Sequence, residues 1–230
     1  LPAVDDANGV GCVAIDLANP GQARAQSLQS QTPFRKDGSY LITGAFGGFG
    51  QELARWMAKG GAGELILLSR RGEADPAAAS LRKELENLGS RVSIHAVDVS
   101  DAAQVEQVVK QTSLPDRFAL CGVMHTAAVL DDAPLLELDA DRFERVFAAK
   151  VRGAWNLHNA TQHLALEHFI LFSSISALIG NASQSNYVAA NCILDSLAHY
   201  RRRKGLTACS INWGALGDVL MAASSSARCG

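Results

Sequence analysis

The chain has 230 residues, of which 48% are hydrophobic and 19% charged, and its formal charge at pH 7 is −2. A charge balance this close to zero disfavours a dedicated nucleic-acid-binding protein, which normally carries a strongly basic face. This length fits one large domain, or one and a half small ones.

The sequence shows no membrane or metal signal. No apolar run reaches the ~20 residues of a membrane-spanning helix, and no secretory leader opens the chain. The five cysteines are scattered and never form a C-x-x-C pair, so we expect neither a disulfide framework nor a zinc site. We therefore expect a cytoplasmic protein without metal, whose cysteines are free and buried.

The first 38 residues lack the regular alternation of apolar strands and helices that the rest of the sequence predicts. Residues 10–17 form a short apolar stretch, and a turn signal, Asn19-Pro20-Gly21, follows it. The chain also begins at Leu1 rather than Met, so we expect an excerpt from a longer polypeptide. We interpret residues 1–38 as the tail of a preceding domain or structural subdomain, plus a linker.

From Tyr40 onward, apolar strands alternate with helices. In chain order, the predicted strands are 40–43, 65–68, 92–97, 120–124, 169–172 and 209–213. The predicted helices are 48–59, 77–88, 102–109, 143–158 and 187–200. Strands that are apolar on both faces indicate a parallel sheet covered by helices on both sides. We therefore predict an α/β fold, a doubly wound parallel sheet of the Rossmann dinucleotide-binding type.

A glycine-rich loop, T-G-A-F-G-G-F-G at 43–50, lies between the first strand and the first helix. Glycines let the backbone turn tightly and bring bare amides against a pyrophosphate at a helix N-terminus. A tight turn without a ligand is the alternative. The residues that we assign to the cofactor here are Thr43, Gly44, Phe46, Gly47, Gly48, Phe49 and Gly50.

The second strand ends at Ser69-Arg70-Arg71. An NAD-preferring site would carry an Asp or Glu near this point, whereas an arginine suits the 2′-phosphate of NADP. We assign Ser69 and Arg70 to NADPH, with Arg71 as an alternative or a solvated neighbour.

Four further residues are assigned to the cofactor: Asp98, Val99, Thr126 and Ala127. Asp98 and Val99 end the third strand, where they could contact the amino group of an adenine. Asp98 could equally cap the helix that begins near Asp101.

A serine, a tyrosine and a lysine are placed where they could converge on a nicotinamide. Ser174 ends the fifth strand, Tyr187 begins Y-V-A-A-N, and Lys150 lies in the long helix before that strand. In carbonyl reduction a tyrosine supplies the proton and a protonated lysine lowers the pKa of its phenol, while a serine binds the substrate oxygen. Taken singly, each could be structural: Tyr187 in the core, Asn191 on a helix face, and Lys150 at a solvated end.

The loop, the serine and the tyrosine resemble the short-chain dehydrogenase/reductase superfamily. Ordinary members carry Tyr-x-x-x-Lys, whereas this chain has Asn191 four residues after Tyr187 and its lysine upstream, at Lys150. That exchange resembles the ketoreductase domains of polyketide synthases and of animal-type fatty acid synthase. Three more stretches agree with those domains: F-S-S-I-S-A, Q-S-N-Y-V-A-A-N-C-I-L-D and I-N-W-G.

The resemblance covers residue 40 to about 218. It implies NADPH-dependent reduction of a 3-ketoacyl thioester, carried by an acyl carrier protein beside neighbouring domains of one synthase. The implied catalytic residues are Ser174, Tyr187, Lys150 and Asn191. The spacing of thirteen residues from Ser174 to Tyr187 selects Ser174 over Ser173 and Ser176.

The resemblance also carries a stereochemical expectation. Leu130-Asp131-Asp132 resembles the marker of B-type domains, which give a D-configured 3-hydroxyl. Ile179 stands where A-type domains have a tryptophan, and Ala189 stands where epimerising domains have a proline. An ordinary acidic surface loop is the alternative for the two aspartates.

The chain departs from the family in its loops and at its end. Ala45 and Ala128 each replace a common glycine, which is tolerated where φ is negative. We expect the lid helix and last strand to be missing, with residues 39–217 as the NADP-binding catalytic domain and 218–230 as the start of a lid or a flexible tail. A domain without its lid could bind NADPH yet turn over poorly.

Some alternatives stay open. The chain could belong to a fatty acid synthase, could be a free-standing carbonyl reductase, or could be a non-catalytic NADP-binding scaffold. The basic run 201–204 ends the last helix, where the helix dipole favours cations. Docking of an acidic carrier protein is the alternative for that run.

Overall fold

The computed structural model describes residues 34–112 and 117–214. The strand predicted at 10–17 and the tail at 218–230 lie outside the described residues. Within the described ranges, no helix is long and apolar enough to cross a membrane, and no cluster of His, Cys, Asp or Glu could hold a metal ion.

Six strands and seven helices alternate along the described chain. The strands are β1 (Gly38–Thr43), β2 (Glu64–Ser69), β3 (Arg91–Ala96), β4 (Ala119–His125), β5 (His168–Ser174) and β6 (Cys209–Trp213). The helices are α1 (Gly48–Lys59), α2 (Ala78–Asn87), α3 (Ala102–Thr112), α4 (Ala140–Phe147), α5 (Gly153–Thr161), α6 (Ser176–Ile179) and α7 (Ser185–Arg203). A π-helical turn, Ala148–Arg152, joins α4 to α5, and 3₁₀ turns lie at Gly72–Ala74 and Leu135–Glu137.

The sheet is fully parallel and has the strand order β3-β2-β1-β4-β5-β6. This order is that of the doubly wound dinucleotide-binding fold, so the predicted fold class is confirmed. The order reverses between β1 and β4, and ligands of such sheets bind outside the carboxyl ends of the strands at that point. The predicted site residues that end or follow strands therefore lie at this edge of the sheet: the glycine loop, Ser69, Arg70, Asp98, Val99, Thr126, Ala127 and Ser174.

Alternating side chains of the central strands build a core on each face. Leu41 of β1 and Val123 of β4 pack with residues of α3, α5 and α7, while Tyr40 and Ile42 pack with residues of α1 and α2. These four side chains are fully buried. Burying an aliphatic side chain stabilises the fold by roughly 1.5–3 kcal/mol, so both layers hold the carboxyl edge of the sheet in place.

The long helix predicted over 143–158 is present as one helical run over 140–161, with a π turn in its middle. The structure divides it into α4, the π turn and α5. At Gly153, where α5 begins, a Cβ would lie 2.9 Å from the Val99 side chain and 3.0 Å from the His125 ring. The helix can approach β4 this closely because glycine stands there. The predicted helix is thereby confirmed, and the π turn is the feature that its uniformly helical apolar spacing did not predict.

The end of α7 removes one residue from the basic run 201–204. Arg201 is buried, and its guanidinium bonds to the Thr207 carbonyl at 3.1 Å and to the His158 ring at 2.8 Å. It also lies 3.7 Å above the centre of the Phe169 ring. This arginine anchors the helix internally and is not available for docking a carrier protein.

The expectation of buried cysteines holds for only one of the three that the structure describes. Cys121 is buried, whereas Cys192 and Cys209 are exposed, and all three are free thiols. Cys192 lies on the outer face of α7 and Cys209 opens the edge strand β6, so neither position faces the core.

Candidate active site

The glycine loop closes tightly against the end of β4. Gly44 has φ +65°, and a Cβ there would lie 2.8 Å from the Ala127 backbone. A Cβ on Gly50 would lie only 2.3 Å from the Gly44 carbonyl oxygen. Only glycine fits at both positions, so the loop has the compact form that brings α1 up to the switch point.

The N-terminus of α1 is open to an anion. Gly47 precedes the helix in an extended conformation, and among the described residues no side chain caps it and no acidic residue lies in its first turn. The first amides of a helix lack partners inside the helix and carry its positive dipole end. A cavity of about 570 Å³ borders the loop that precedes them and is lined there by Gly44, Phe46 and Gly47. This geometry fits a pyrophosphate.

The structure distinguishes the two arginines after β2. Both line the cavity. Arg71 Nε is 3.4 Å from the Asp75 carboxylate, so its charge is partly matched within its own turn. Arg70 is exposed and forms no ion pair with the described residues. The Ser69 hydroxyl accepts a hydrogen bond from the Gly72 amide at 2.9 Å and keeps its own proton to donate.

The two roles left open for Asp98 are now separated. Its carboxylate accepts hydrogen bonds from the Ser100 amide at 2.9 Å and the Ser100 hydroxyl at 2.7 Å, within a turn. Asp101 caps α3 instead, because its carboxylate accepts from the Ala103 and Gln104 amides. Asp98 and Val99 both line the cavity.

Thr126 and Ala127 tie the end of β4 to β1. The Thr126 hydroxyl donates to the Thr43 carbonyl at 2.6 Å, and the Ala127 amide donates to the Thr43 hydroxyl at 3.3 Å. The replacements Ala45 and Ala128 are unstrained, since Ser183 alone among the described non-glycine residues has a positive φ.

Lys150 projects from the π turn into a buried site. Its side chain is only 2% exposed, Nζ donates to the Phe172 carbonyl at 2.8 Å, and Nζ lies 5.1 Å from the centre of the Tyr187 ring. Burial lowers the pKa of the amine from 10.5 to about 7, and the Asp195 carboxylate opposes this shift. The lysine can therefore change protonation near neutral pH.

Tyr187 differs from the sequence-based expectation in its electrostatics. Burial raises the pKa of its phenol, although lysine was expected to lower it. The lysine does not offset this effect, because its own pKa of about 7 leaves the amine neutral in the pH range where the phenol titrates. At neutral pH the phenol is therefore protonated, which is the form that can donate a proton.

Asn191 is fully buried one turn after Tyr187. Its Nδ2 donates to the Tyr187 carbonyl at 2.9 Å, and its Oδ1 is buried without a hydrogen-bond partner in the structure. A buried amide oxygen without a donor is uncommon and indicates a place for a water molecule or a ligand group.

The three serines near the end of β5 have different surroundings. Ser173 and Ser176 are buried, while Ser174 is partly exposed. The Ser174 hydroxyl oxygen accepts hydrogen bonds from the Ser176 amide at 3.1 Å and the Ser176 hydroxyl at 2.9 Å. Its own proton is thus directed away from Ser176, which is consistent with the choice of Ser174 over its neighbours.

The Leu130-Asp131-Asp132 loop is fixed to two helices. Asp131 forms ion pairs with Arg142 and Arg145 of α4, and the Asp132 carboxylate accepts from Gln184 Nε2 at 2.8 Å. The aspartates are therefore bound within the protein rather than merely solvated. Leu130 stays 59% exposed.

Sequence reasoning missed two buried residues that organise this site. Asn186 donates to the Asp131 carbonyl at 2.8 Å and accepts from the Tyr187 amide at 2.8 Å, so it joins the loop to the start of α7. His125 bonds to the Thr43 hydroxyl at 2.8 Å through Nδ1 and to the Lys150 carbonyl at 2.9 Å through Nε2. Because a carbonyl only accepts, Nε2 carries the proton. The available signal was sequence adjacency to Tyr187 and to the end of the fourth strand.

Comparison with known protein families decides the family. The model of the KR domain matches residues 38–218. The chain belongs to the ketoreductase domain family. The predicted resemblance is thereby confirmed, and this ketoreductase domain is an oxidoreductase of the short-chain dehydrogenase/reductase superfamily, whose members bind a nicotinamide cofactor.

Relatives of this ketoreductase domain are polyketide synthases. It is 44% identical over 201 residues to a low-reducing polyketide synthase of Aspergillus calidoustus, covering 86% of this chain and 8% of the relative. It is 43% identical over 178 residues to the mycoketide-CoA synthase of Mycobacterium tuberculosis, covering 77% of this chain and 4% of the relative. The chain thus spans a small fraction of the curated relatives that it matches.

Solved structures agree with this fold. A structure described as A-type ketoreductases from a modular polyketide synthase superposes with a TM-score of 0.75 at 44% identity, covering 79% of this chain and 38% of that chain. A C2-type ketoreductase from a modular polyketide synthase superposes with a TM-score of 0.73 at 32% identity, covering 85% of this chain and 42% of that one. The shared architecture is therefore common to ketoreductases of different stereochemical types.

Proposed function

We propose that this ketoreductase domain uses NADPH to reduce the 3-keto group of an acyl thioester to a 3-hydroxyacyl thioester in polyketide biosynthesis. The observation that carries the proposal is the buried Lys150 ammonium over the ring of Tyr187, at the carboxyl edge of a sheet whose glycine loop fits a pyrophosphate. Ser174 from β5 and Asn191 from α7 belong to the same edge.

The residues divide the chemistry between them. The bound nicotinamide supplies a hydride to C3 of the substrate. Tyr187 donates the proton that the new alkoxide oxygen requires, so the product gains one hydride on carbon and one proton on oxygen. Ser174 donates a hydrogen bond to that oxygen as negative charge develops. Lys150 in its protonated form stabilises the phenolate that remains, and its position over the ring keeps the charge close.

NADPH rather than NADH is supported by the residues after β2. Arg70 borders the cavity without an ion-pair partner among the described residues, whereas Arg71 is paired with Asp75. An unpaired guanidinium is suited to a bidentate bond with a 2′-phosphate. No acidic residue follows β2 directly to hold a ribose 2′-hydroxyl, since Ser69-Arg70-Arg71-Gly72 stands there.

We further propose B-type stereochemistry, giving a D-configured hydroxyl. The Leu130-Asp131-Asp132 loop supports this, because its bonds to α4 and to the start of α7 give it a defined position next to the Tyr187 helix. Leu130 stays exposed and is able to contact an acyl chain.

The partner and the domain limits belong to the same proposal. The relatives are large polyketide synthases, so we propose an acyl carrier protein as the substrate donor and neighbouring domains of one synthase as covalent partners. Residues 39–217 then form the catalytic domain. Residues 1–38 belong to a preceding domain or structural subdomain, and residues 218–230 begin the lid.

The test measures NADPH fluorescence with and without a 3-ketoacyl thioester. The wild-type chain should bind NADPH and oxidise it only when the thioester is present, and chiral chromatography should give the D-3-hydroxy product. Tyr187→Phe should abolish turnover and leave NADPH affinity unchanged. Tyr200→Phe is the matched control on the same helix, where the tyrosine is 38% exposed, and it should retain activity.

Two results would contradict the proposal. Unchanged turnover in Tyr187→Phe would remove this residue from its role. Tight NADPH binding without reduction of any thioester, in a folded domain that extends through the lid helix and last strand, would favour a non-catalytic NADP-binding scaffold instead.

A further inference from the structure

Asn212, near the end of β6, has a side-chain amide with three acceptors around one nitrogen. Nδ2 lies 2.9 Å from Asp195 Oδ2, 3.2 Å from the Ser173 hydroxyl oxygen and 3.2 Å from the Ser174 carbonyl oxygen. These contacts join β6 to α7 and to the end of β5. The proposed chemistry uses neither Asn212 nor Asp195.

The end of β5 is where the proposed catalytic groups meet. The Phe172 carbonyl accepts from Lys150 Nζ at 2.8 Å, and the Ser173 hydroxyl donates to the Asn191 carbonyl at 3.3 Å. Ser174 follows with the hydroxyl that we assign to the substrate oxygen. Three consecutive residues of β5 therefore serve the site in different ways. Phe172 contacts Lys150, Ser173 contacts the helix that carries Tyr187, and Ser174 carries the reacting hydroxyl. A shift of this short segment changes all three relations together.

Asp195 determines which way the Asn212 amide faces. A carboxylate only accepts hydrogen bonds, so it selects the NH₂ end of the amide, and the Ser210 hydroxyl donates to its other oxygen. With the amide in this orientation, the same nitrogen can also donate to β5. Ser173 is 4% exposed and Asn191 is fully buried, so groups that lose a bond here would not regain it from water.

The charge of Asp195 adds a second connection to the site. Its carboxylate raises the pKa of the Lys150 amine, against the larger lowering by burial. Asp195 thus orients the Asn212 amide and favours the charged form of Lys150. Both of these side chains donate hydrogen bonds to carbonyls at the end of β5.

We propose that Asn212, oriented by Asp195, is a positioning residue that fixes the end of β5 and thereby places the Ser174 hydroxyl and the Phe172 carbonyl for catalysis. This inference rests on the proposed function, because it takes Ser174, Lys150 and Tyr187 as the reacting set. Asn212 acts through these residues and does not touch the substrate.

The decisive variant is Asn212→Leu, which keeps the volume of the side chain and removes its donors. We expect kcat per NADPH-binding site to fall at least tenfold, about 1.4 kcal/mol of transition-state stabilisation, while KM for the thioester changes less than threefold. Counting NADPH-binding sites by titration removes any effect of unfolded protein. Asn212→Ser, which keeps one hydroxyl donor, serves if the leucine variant fails to fold, and its kcat should fall in the same direction.

A second measurement reports the position of β5 without any turnover. The Ser176 amide donates to the Ser174 hydroxyl oxygen at 3.1 Å, so its hydrogen-exchange rate follows the placement of that hydroxyl. In Asn212→Leu this amide should exchange at least tenfold faster, with exchange in α1 unchanged. Ser210→Ala, which removes the other bond to Asp195 and leaves the bonds of Asn212 to β5, should stay within threefold of wild type in kcat and exchange.

The inference would be overturned if Asn212→Leu kept the kcat per NADPH-binding site of the wild type, or if the hydrogen-exchange rate of its Ser176 amide were unchanged. Loss of kcat to the same extent in Ser210→Ala would also overturn it, because the effect would then belong to Asp195 and not to the hydrogen bonds that Asn212 donates to β5. Failure of the wild-type chain to reduce a thioester would contradict the proposed function instead, and the exchange rates would still decide whether Asn212 fixes the strand.

Discussion

Replacing Lys150 by methionine should stabilise the protein while it abolishes reduction. The amine is 2% exposed, and its pKa is lowered from 10.5 to about 7 by burial. At 1.36 kcal/mol for each pKa unit, this difference corresponds to roughly 5 kcal/mol of unfavourable folding free energy for the charged form. The lost hydrogen bond to the Phe172 carbonyl offsets about 1 kcal/mol of the gain. We therefore expect Lys150→Met to raise the free energy of unfolding by about 2–4 kcal/mol at or below pH 7.

The pH dependence of that gain has a defined sign. Below pH 7 the lysine is charged in both the folded and the unfolded states, so the gain is full. Between about pH 7 and 10.5 the unfolded state binds more protons than the folded state, so the wild type gains stability as pH rises and the difference shrinks. Above 10.5 it should vanish. Urea denaturation followed by tryptophan fluorescence at pH 6, 8 and 10 measures this directly.

A control separates burial from the loss of a positive charge. Lys110 lies on α3 with its side chain 74% exposed, so Lys110→Met should change stability by less than about 0.5 kcal/mol at every pH. A Lys150→Met variant no more stable than wild type at pH 6, or a gain that does not shrink with rising pH, would refute the reasoning about a buried ammonium.

Three further outcomes follow from the same structure. Arg70→Ala should weaken NADPH binding at least tenfold in a fluorescence titration and leave NADH binding unchanged. Arg71→Ala should weaken NADPH binding less than threefold. Equal losses of NADPH affinity in the two variants would contradict the assignment of Arg70 to the 2′-phosphate. Gly50→Ala should lower the free energy of unfolding by about 1–3 kcal/mol and impair NADPH binding, because its Cβ would lie 2.3 Å from a loop carbonyl oxygen. The burial of His125 lowers its pKa to about 4, so stability should be fully present above pH 6.5 and fall as pH drops towards 4. In urea titrations, His125→Asn should show a shallower acid loss than wild type, and equal slopes would exclude His125 as its source.

The strands and their order could be predicted because apolar runs at the centre of a parallel sheet are unambiguous. The edge strands β3 and β6 are only partly buried, yet their positions after helices still identified them. The location of the site followed from topology, since the glycine loop, Arg70 and Ser174 each end a strand. Periodicity and chain order were sufficient for this level of description.

The π turn at Lys150 could not be predicted from the sequence, because its residues have ordinary helical spacing. The π turn is held by a residue distant in sequence. The buried His125 ring hydrogen-bonds to the Lys150 carbonyl and lies against Gly153. The direction of the Tyr187 pKa shift was also missed, since it depends on the burial of both the phenol and the Lys150 amine. Contacts between residues that are distant in the chain produce no pattern in the local sequence.

The exchange of lysine and asparagine between sequence positions has a simple structural basis. The π turn precedes β5 in the sequence and α7 follows it, yet the two pack against each other at the carboxyl end of the strand. Lys150 reaches Tyr187 from the turn, while Asn191 lies one helical turn beyond Tyr187 on its own helix. Lys150 and Asn191 therefore both contact Tyr187, one from each element. The free-energy cost of burying the Lys150 ammonium is set by these surroundings, in which the side chain is 2% exposed and donates to the Phe172 carbonyl beside the Tyr187 ring.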